Sequence, residues 1–131
     1  MKLRLGGRDC HILAGPFAAR PAGSIGLCLD AGNADAAQAA LLHPIPDFGV
    51  PDDPAAFRAA LVDFAALLAA APDRIGYVGC RAGLGRTGLA LACLVRMSGV
   101  PGDPVAWVRA AYDPRAVETP AQEEFARHFS A

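Results

Sequence analysis

The sequence predicts an α/β protein: a single domain with a short, mostly parallel central sheet flanked by helices. Three observations lead there. The chain has 131 residues, 53% of them hydrophobic, which fits one domain with a sizeable core. Short apolar runs bounded by Gly, Pro and Asp stand in the first third and again just before residue 80, as buried strands do. Segments with helical apolar spacing fill most of the second half, and strands followed by helices pack as α/β layers. The domain is expected to span residues 1–131.

Taken in order, "CHILAGPF" (10–17) and "SIGLCLDA" (24–31) read as strands, and "AGNADAAQAA" (31–40) as a loop with room for a short helix. "LLHPIPDFGVPDDP" (41–54) is expected to be irregular, because its four prolines break ladders and helices alike. Asp53 then caps a helix with Pro54 at its first position. Ala56, Phe57, Ala60, Leu61, Phe64, Leu67 and Leu68 give that helix a broad apolar face, and "APDR" (71–74) ends it. "IGYVG" (75–79) is a short buried strand running into Cys80. An apolar helix opens at Arg86 and continues to about Ser98, where Gly99 stops it. A third helix starts near Asp103 and Pro104 and carries Val105, Trp107, Val108 and Ala111; Trp107 is expected in the core. The last helix runs from Thr119 to Phe129, with Thr119 as N-cap, Pro120 first, and Gln122 completing a capping box.

The formal net charge of -1 gives no global attraction to nucleic acid or to anionic lipid. No apolar run reaches the ~20 residues of a membrane span, and "MKLRLGGRDC" lacks the apolar core of a signal peptide. Cys10, Cys28, Cys80 and Cys93 form no CxxC pair, so no metal site is expected. The thiols read as reduced, and the protein as cytoplasmic.

The chemistry concentrates in "VGCRAGLGRTGLALACL" (78–94). A strand ends, a glycine-bearing loop turns and a helix begins, an arrangement whose backbone amides converge on a point that suits phosphate. Arg81, Ala82, Gly83, Leu84, Gly85 and Arg86 are the expected phosphate binders, with Arg86 closing on the anion through two parallel hydrogen bonds. A free cysteine ionises near pH 8.5, and beside arginine at a helix N-terminus that value can fall to roughly 3.5–7.5. A drop of about two units is worth roughly 2.7 kcal/mol. The field that binds phosphate therefore also prepares Cys80 as a nucleophile.

"CRAGLGRTG" resembles the signature of the cysteine-dependent protein tyrosine and dual-specificity phosphatases, and other features extend the resemblance over nearly the whole chain. It implies a protein tyrosine phosphatase-like fold and a phosphocysteine intermediate, with no metal or other cofactor. Cys80 is then the nucleophile, Arg86 binds the phosphoryl oxygens, and the Thr87 hydroxyl supports the leaving thiolate. One residue departs from the pattern: the family usually has histidine before the cysteine, and here stands Gly79.

Ester cleavage also needs a proton for the leaving oxygen. "HPIPDFGVPD" (43–52) resembles the family's mobile acid loop, and the general acid is carried onto Asp47. Asp52 and Asp53 compete for that role, although Asp53 reads better as a helix cap, and His43 reads as structural. Gln122, in a stretch that resembles a segment packing beside the site in small phosphatases, either orients the hydrolytic water or serves its capping box. Arg115 is expected at the surface and Arg109 in a supporting role. "IGLCLDA" resembles a strand of tumour-suppressor lipid phosphatases whose cysteine pairs with the oxidised nucleophile; on that resemblance Cys28 is the redox partner of Cys80, ahead of Cys93.

The expected activity is hydrolysis of phosphomonoesters, with phosphotyrosine first and phosphoserine or phosphothreonine after it. The expected partner is a phosphorylated protein or small phosphoester, not nucleic acid and not a membrane. A loop with Arg81 but no lysine fits a phosphoinositide phosphatase less well. Gly79 motivates the second reading, a catalytically weak pseudophosphatase or phosphate-binding module. A sulfurtransferase or arsenate reductase is the third.

Overall fold

The computed structural model describes residues 1–130; Ala131, the last residue of the expected domain, lies outside the described residues. Five strands form one sheet: β1 (Lys2–Leu5), β2 (Arg8–Pro16), β3 (Ile25–Cys28), β4 (Leu41–Leu42) and β5 (Gly76–Cys80), in the order β1-β2-β5-β3-β4. Only the β1–β2 hairpin is antiparallel; the β2–β5, β5–β3 and β3–β4 pairings are parallel. Among the described residues there are four α-helices, α1 (Pro54–Ala70), α2 (Gly85–Met97), α3 (Pro104–Ala111) and α4 (Pro120–His128), and two short 3-10 turns at Phe17–Ala19 and Ala36–Gln38. The α/β expectation with a mostly parallel sheet holds.

Two strands lie outside the sequence reading. β1 turns Leu3 and Leu5 inward and Lys2 and Arg4 outward, a period-two pattern too short to stand out. Its charges also suit an edge strand. β4 corrects the expectation that residues 41–54 are wholly irregular: Leu41 and Leu42 pair with Leu27 and Cys28 before the first proline of the segment is reached.

α1 begins where Asp53 accepts a hydrogen bond from the Ala56 amide, with Pro54 leading, and Phe57, Leu61, Phe64 and Leu68 are its buried stripe. Leu67 faces outward, so the stripe is narrower than the sequence suggests. α2 is buried from Gly85 to Val95 because β5, α3 and α4 all pack on it. A helix apolar all round has to be interior. α4 starts at a complete capping box of Thr119 and Gln122. Trp107 is half-buried against the core rather than inside it.

The faces of the sheet differ. Ile25, Leu27, Val78 and Cys80 belong to the large core, whereas Phe17, Cys28 and Ala36 form a small separate cluster. Gly79 lies between them in the register, opposite Cys28. Among the described residues no helix is long and apolar enough to cross a membrane.

Candidate active site

β5 delivers Cys80 at its carboxyl end, and α2 starts five residues later. In an open parallel sheet the carboxyl ends of the strands are where ligand crevices form. The Cys80 thiol is buried, and two donors face it: the Gly83 amide at 3.3 Å and the Thr87 hydroxyl at 3.1 Å. The loop thus curls its main chain around the sulfur. The amides of Ala82, Leu84 and Gly85 donate to no acceptor among the described residues, as the first turn of a helix leaves its N–H groups free. These groups and the helix dipole favour an anion.

Two close approaches shape the loop. Gly83 has φ +78°, and a side chain there would collide with the Gly15 carbonyl carbon. A Cβ on Gly79 would lie 2.7 Å from Phe17 Cα and 2.9 Å from the Gly15 carbonyl oxygen. The chain segment 15–17, leaving β2, therefore passes directly beneath the loop. Position 79 is glycine because main chain occupies the space of a side chain; the histidine usual in the resembling family has no room in this chain's packing. The missing support comes from elsewhere: the Tyr112 hydroxyl donates to the Gly83 carbonyl at 2.6 Å, and Tyr77 donates to the Pro16 carbonyl at 2.9 Å.

Arg86 is 5% exposed. Its Nη1 donates to the Ile45 carbonyl at 3.2 Å and lies 3.5 Å from Asp30 Oδ1; its Nη2 lies 3.4 Å from Asp47 Oδ1. The structure thus brings the expected nucleophile, phosphate-binding arginine and general acid to one place. Asp47 lines the same cavity of about 440 Å³ as Cys80, Arg81 and Arg86. Phe48, beside Asp47, is 61% exposed at the mouth of that cavity and has φ +58°. A left-handed backbone at a bulky residue is uncommon and concentrates at functional sites.

Gln122 is fully buried, and its Oε1 accepts from the amides of Glu118 (2.9 Å) and Thr119 (3.2 Å). Its Nε2 donates to the Gly49 carbonyl at 3.0 Å. With both lone pairs taken, the side-chain oxygen has none for a water. Gln122 caps α4 and pins the acid loop from the far side of Asp47, just as Arg86 pins it at Ile45. Asp52 lines a neighbouring cavity of about 800 Å³ together with Asp30, Asp47 and Arg81. Asp53 is the cap of α1. His43 rests against the Phe57 ring at 5.4 Å between centroids, and burial lowers its pKa below the ordinary value. Arg109 holds the carbonyls of Ala116 and Val117, and Arg115 pairs with Asp113 at the surface.

Cys28 stands opposite Gly79, one position before Cys80, and its Sγ donates to the Asp30 carbonyl at 3.3 Å. Residues paired across two strands share a face and the next residue takes the other, so Cys28, opposite Gly79, packs with Phe17 and Ala36 while Cys80 joins the large core. The Cys80 thiol still lies near enough to contribute to the raised pKa of Cys28. Burial pushes the Cys28 thiol up, and it pushes Cys93, deep inside α2, far higher. All four cysteines are free.

Three residues at the site carry no clear sequence signal. Asp30 follows β3 and reaches Arg86. Glu118 reaches the start of α2, where a methyl on Gly85 would collide with its Oε1, because Val117 takes φ +63° and its amide bonds the Leu84 carbonyl at 3.1 Å. Tyr112 ends α3. Of these, only Asp30, an acidic residue closing an apolar run, stands at a position that open α/β sheets mark out.

The fold is that of the cysteine-dependent tyrosine and dual-specificity phosphatases, and the solved structures it resembles come from that class. A kinase-associated phosphatase, with its catalytic cysteine substituted by serine, superposes with a TM-score of 0.68 at 19% identity, covering 98% of this chain and 91% of that one. Tk-PTP in its active form gives 0.69 at 21% identity, covering 88% of each chain. A protein tyrosine phosphatase from Leishmania major gives 0.61 at 21% identity, covering 95% and 91%. No protein-family model and no curated protein matches the chain.

Proposed function

We propose that the protein is a phosphatase that hydrolyses phosphomonoesters through a phosphocysteine. The observation that carries this reading is the single cluster of Cys80, ringed by the Gly83 amide and Thr87 hydroxyl, with Arg86 and Asp47 at its mouth. The Cys80 thiolate attacks phosphorus, and the bond between phosphorus and the ester oxygen breaks. Asp47 gives its proton to the departing oxygen. Arg86 and the loop amides hold the equatorial oxygens, where charge spreads in the transition state. Water then attacks the phosphocysteine, Asp47 takes the proton, and the thiolate leaves with the Thr87 hydroxyl supporting it. The residues need neither metal nor cofactor for these steps.

The substrate reading is phosphotyrosine first, then phosphoserine and phosphothreonine, on a protein or a small phosphoester. Phe48, an exposed ring beside the acid, supports an aromatic leaving group. Asp30, Asp47 and Asp52 in the adjoining cavity, against the cations of Arg81 and Arg86, disfavour a polyphosphorylated inositol ring. The reduced cysteines support a cytoplasmic setting. The alternative of a binding module without turnover rested on Gly79, and steric need accounts for that glycine.

The test is a panel of phosphopeptides, phosphoinositides and nucleotides against the wild type and Cys80→Ser. Cys80→Ser is expected to abolish hydrolysis while it still binds phosphate, because the hydroxyl is not ionised and the amides remain. Turnover by this variant within about tenfold of wild type would eliminate the phosphocysteine route.

A further inference from the structure

We infer that Tyr112 is a positioning residue of the phosphate loop: its hydroxyl holds the Gly83 carbonyl outward, so that the Leu84 amide faces the bound oxyanion. The inference rests on the phosphate-binding reading of the loop and assigns a role that no motif in the sequence marks.

A brace for the loop cannot come from position 79, since any Cβ there meets the main chain of Phe17 and Gly15. Gly83 is the loop's other tight point, with φ +78° against the Gly15–Pro16 peptide. The next peptide of that segment, Pro16–Phe17, is fixed because Tyr77 donates to the Pro16 carbonyl at 2.9 Å. The loop is thus backed on one side and needs a hold on the other, and the 2.6 Å bond from Tyr112 supplies it.

Tyr112 reaches the loop from a fixed point, the C-cap of α3, where its own amide bonds the Val108 carbonyl at 2.8 Å. A trans peptide sets the carbonyl of one residue and the amide of the next antiparallel. With the Gly83 carbonyl drawn toward Tyr112, the Leu84 N–H is left on the inner side, where it has no acceptor among the described residues. The Gly83 amide meanwhile faces Cys80 Sγ at 3.3 Å. One hydroxyl therefore fixes the orientation of a peptide that the oxyanion needs. Burial pushes the Tyr112 phenol up to about 12, so it stays a donor throughout the neutral and alkaline range.

The experiment is tungstate binding by calorimetry on wild type and Tyr112→Phe, with aryl phosphate kinetics, thermal midpoints and amide spectra. Tyr112→Phe is expected to bind tungstate about tenfold more weakly and to raise KM by a similar factor, the worth of one well-made hydrogen bond. Its thermal midpoint should stay close to that of wild type. In wild type the Leu84 amide resonance should move on adding tungstate. Binding by Tyr112→Phe within roughly twofold of wild type overturns the inference and leaves the phosphatase reading standing. Wild type that binds no tungstate overturns both. Should the variant not fold, the wild-type spectrum decides: a Leu84 amide indifferent to tungstate ends the assignment.

Discussion

The Arg86 guanidinium lies 3.4 Å from the Asp47 carboxylate. In the proposed reaction one would hold the phosphoryl oxygens and the other would serve the leaving oxygen, so the contact would tie together the two loops that flank the scissile bond. Asp47 is 59% exposed in this pair, and exposed ion pairs are weak. What holds the acid loop is main chain: the Ile45 carbonyl on Arg86 and the Gly49 carbonyl on Gln122. An incoming phosphoryl group can thus take the outer edge of Arg86 from Asp47 while the loop keeps its anchors.

Asp47→Ala is expected to lower turnover by roughly 10²–10⁴ on phosphotyrosine and on alkyl phosphates, the usual worth of a general acid. Strongly activated aryl phosphates, whose leaving groups need no proton, should lose far less. Rates measured across a leaving-group series check this; equal losses along the series would give Asp47 a positional role instead.

Asp30→Asn removes the carboxylate 3.5 Å from Arg86 Nη1 and leaves the Ile45 carbonyl in place. Inhibition by inorganic phosphate should weaken about three- to tenfold, the effect of losing the ion pair that orients the guanidinium. The leaving-group dependence should not change. An unaltered inhibition constant would mean that the Ile45 carbonyl alone orients the guanidinium.

Gly79→Ala is expected to destabilise the protein by about 1–3 kcal/mol, as overpacking of a filled site does, because the new methyl meets main chain that cannot swing aside. Gly79→His, which restores the residue usual in the family, should be worse and should not gain activity. Urea melts with an aryl phosphate assay distinguish these results from a histidine that simply fits.

His43 gives a pH signature. Burial lowers its pKa in the folded chain below the unfolded value of 6.5, so between the two values the unfolded state binds more protons. The stability that comes from keeping the ring neutral is fully present above pH 6.5 and is lost as the pH falls from there through the folded value. His43→Leu should flatten this part of the stability curve. Denaturant melts at about pH 7.5 and about pH 5.5 check the slope.

The helices were legible because their caps are local chemistry. Asp53, Asp103 and Thr119 each accept from an amide two or three residues on, and each stands before a proline. Cys80, Arg86 and Thr87 were legible because one strand–loop–helix turn carries all three. What stayed hidden depends on chain segments far apart in sequence. Tyr112 meets Gly83 across 29 positions and Gln122 meets Gly49 across 73. Gly79 is held to glycine by Phe17, which β2 delivers from far away in sequence, so its reason is invisible in the chain order. Cys28 packs with Phe17 and Ala36, a placement that only the strand register reveals.

Beneath the sulfur, the 15–17 segment and the loop touch peptide against peptide at Gly79 and Gly83, and a Cβ on Gly15 would lie 2.6 Å from the Tyr77 hydroxyl. A floor made of main chain offers natural variation no handle. A library randomised at Gly79 and Gly83 should return both almost unchanged. New selectivity has to be drawn from the rim instead, where Phe48, Arg81 and Glu118 stand exposed around the same opening. Such a protein can change its diet over generations while its chemistry stays frozen.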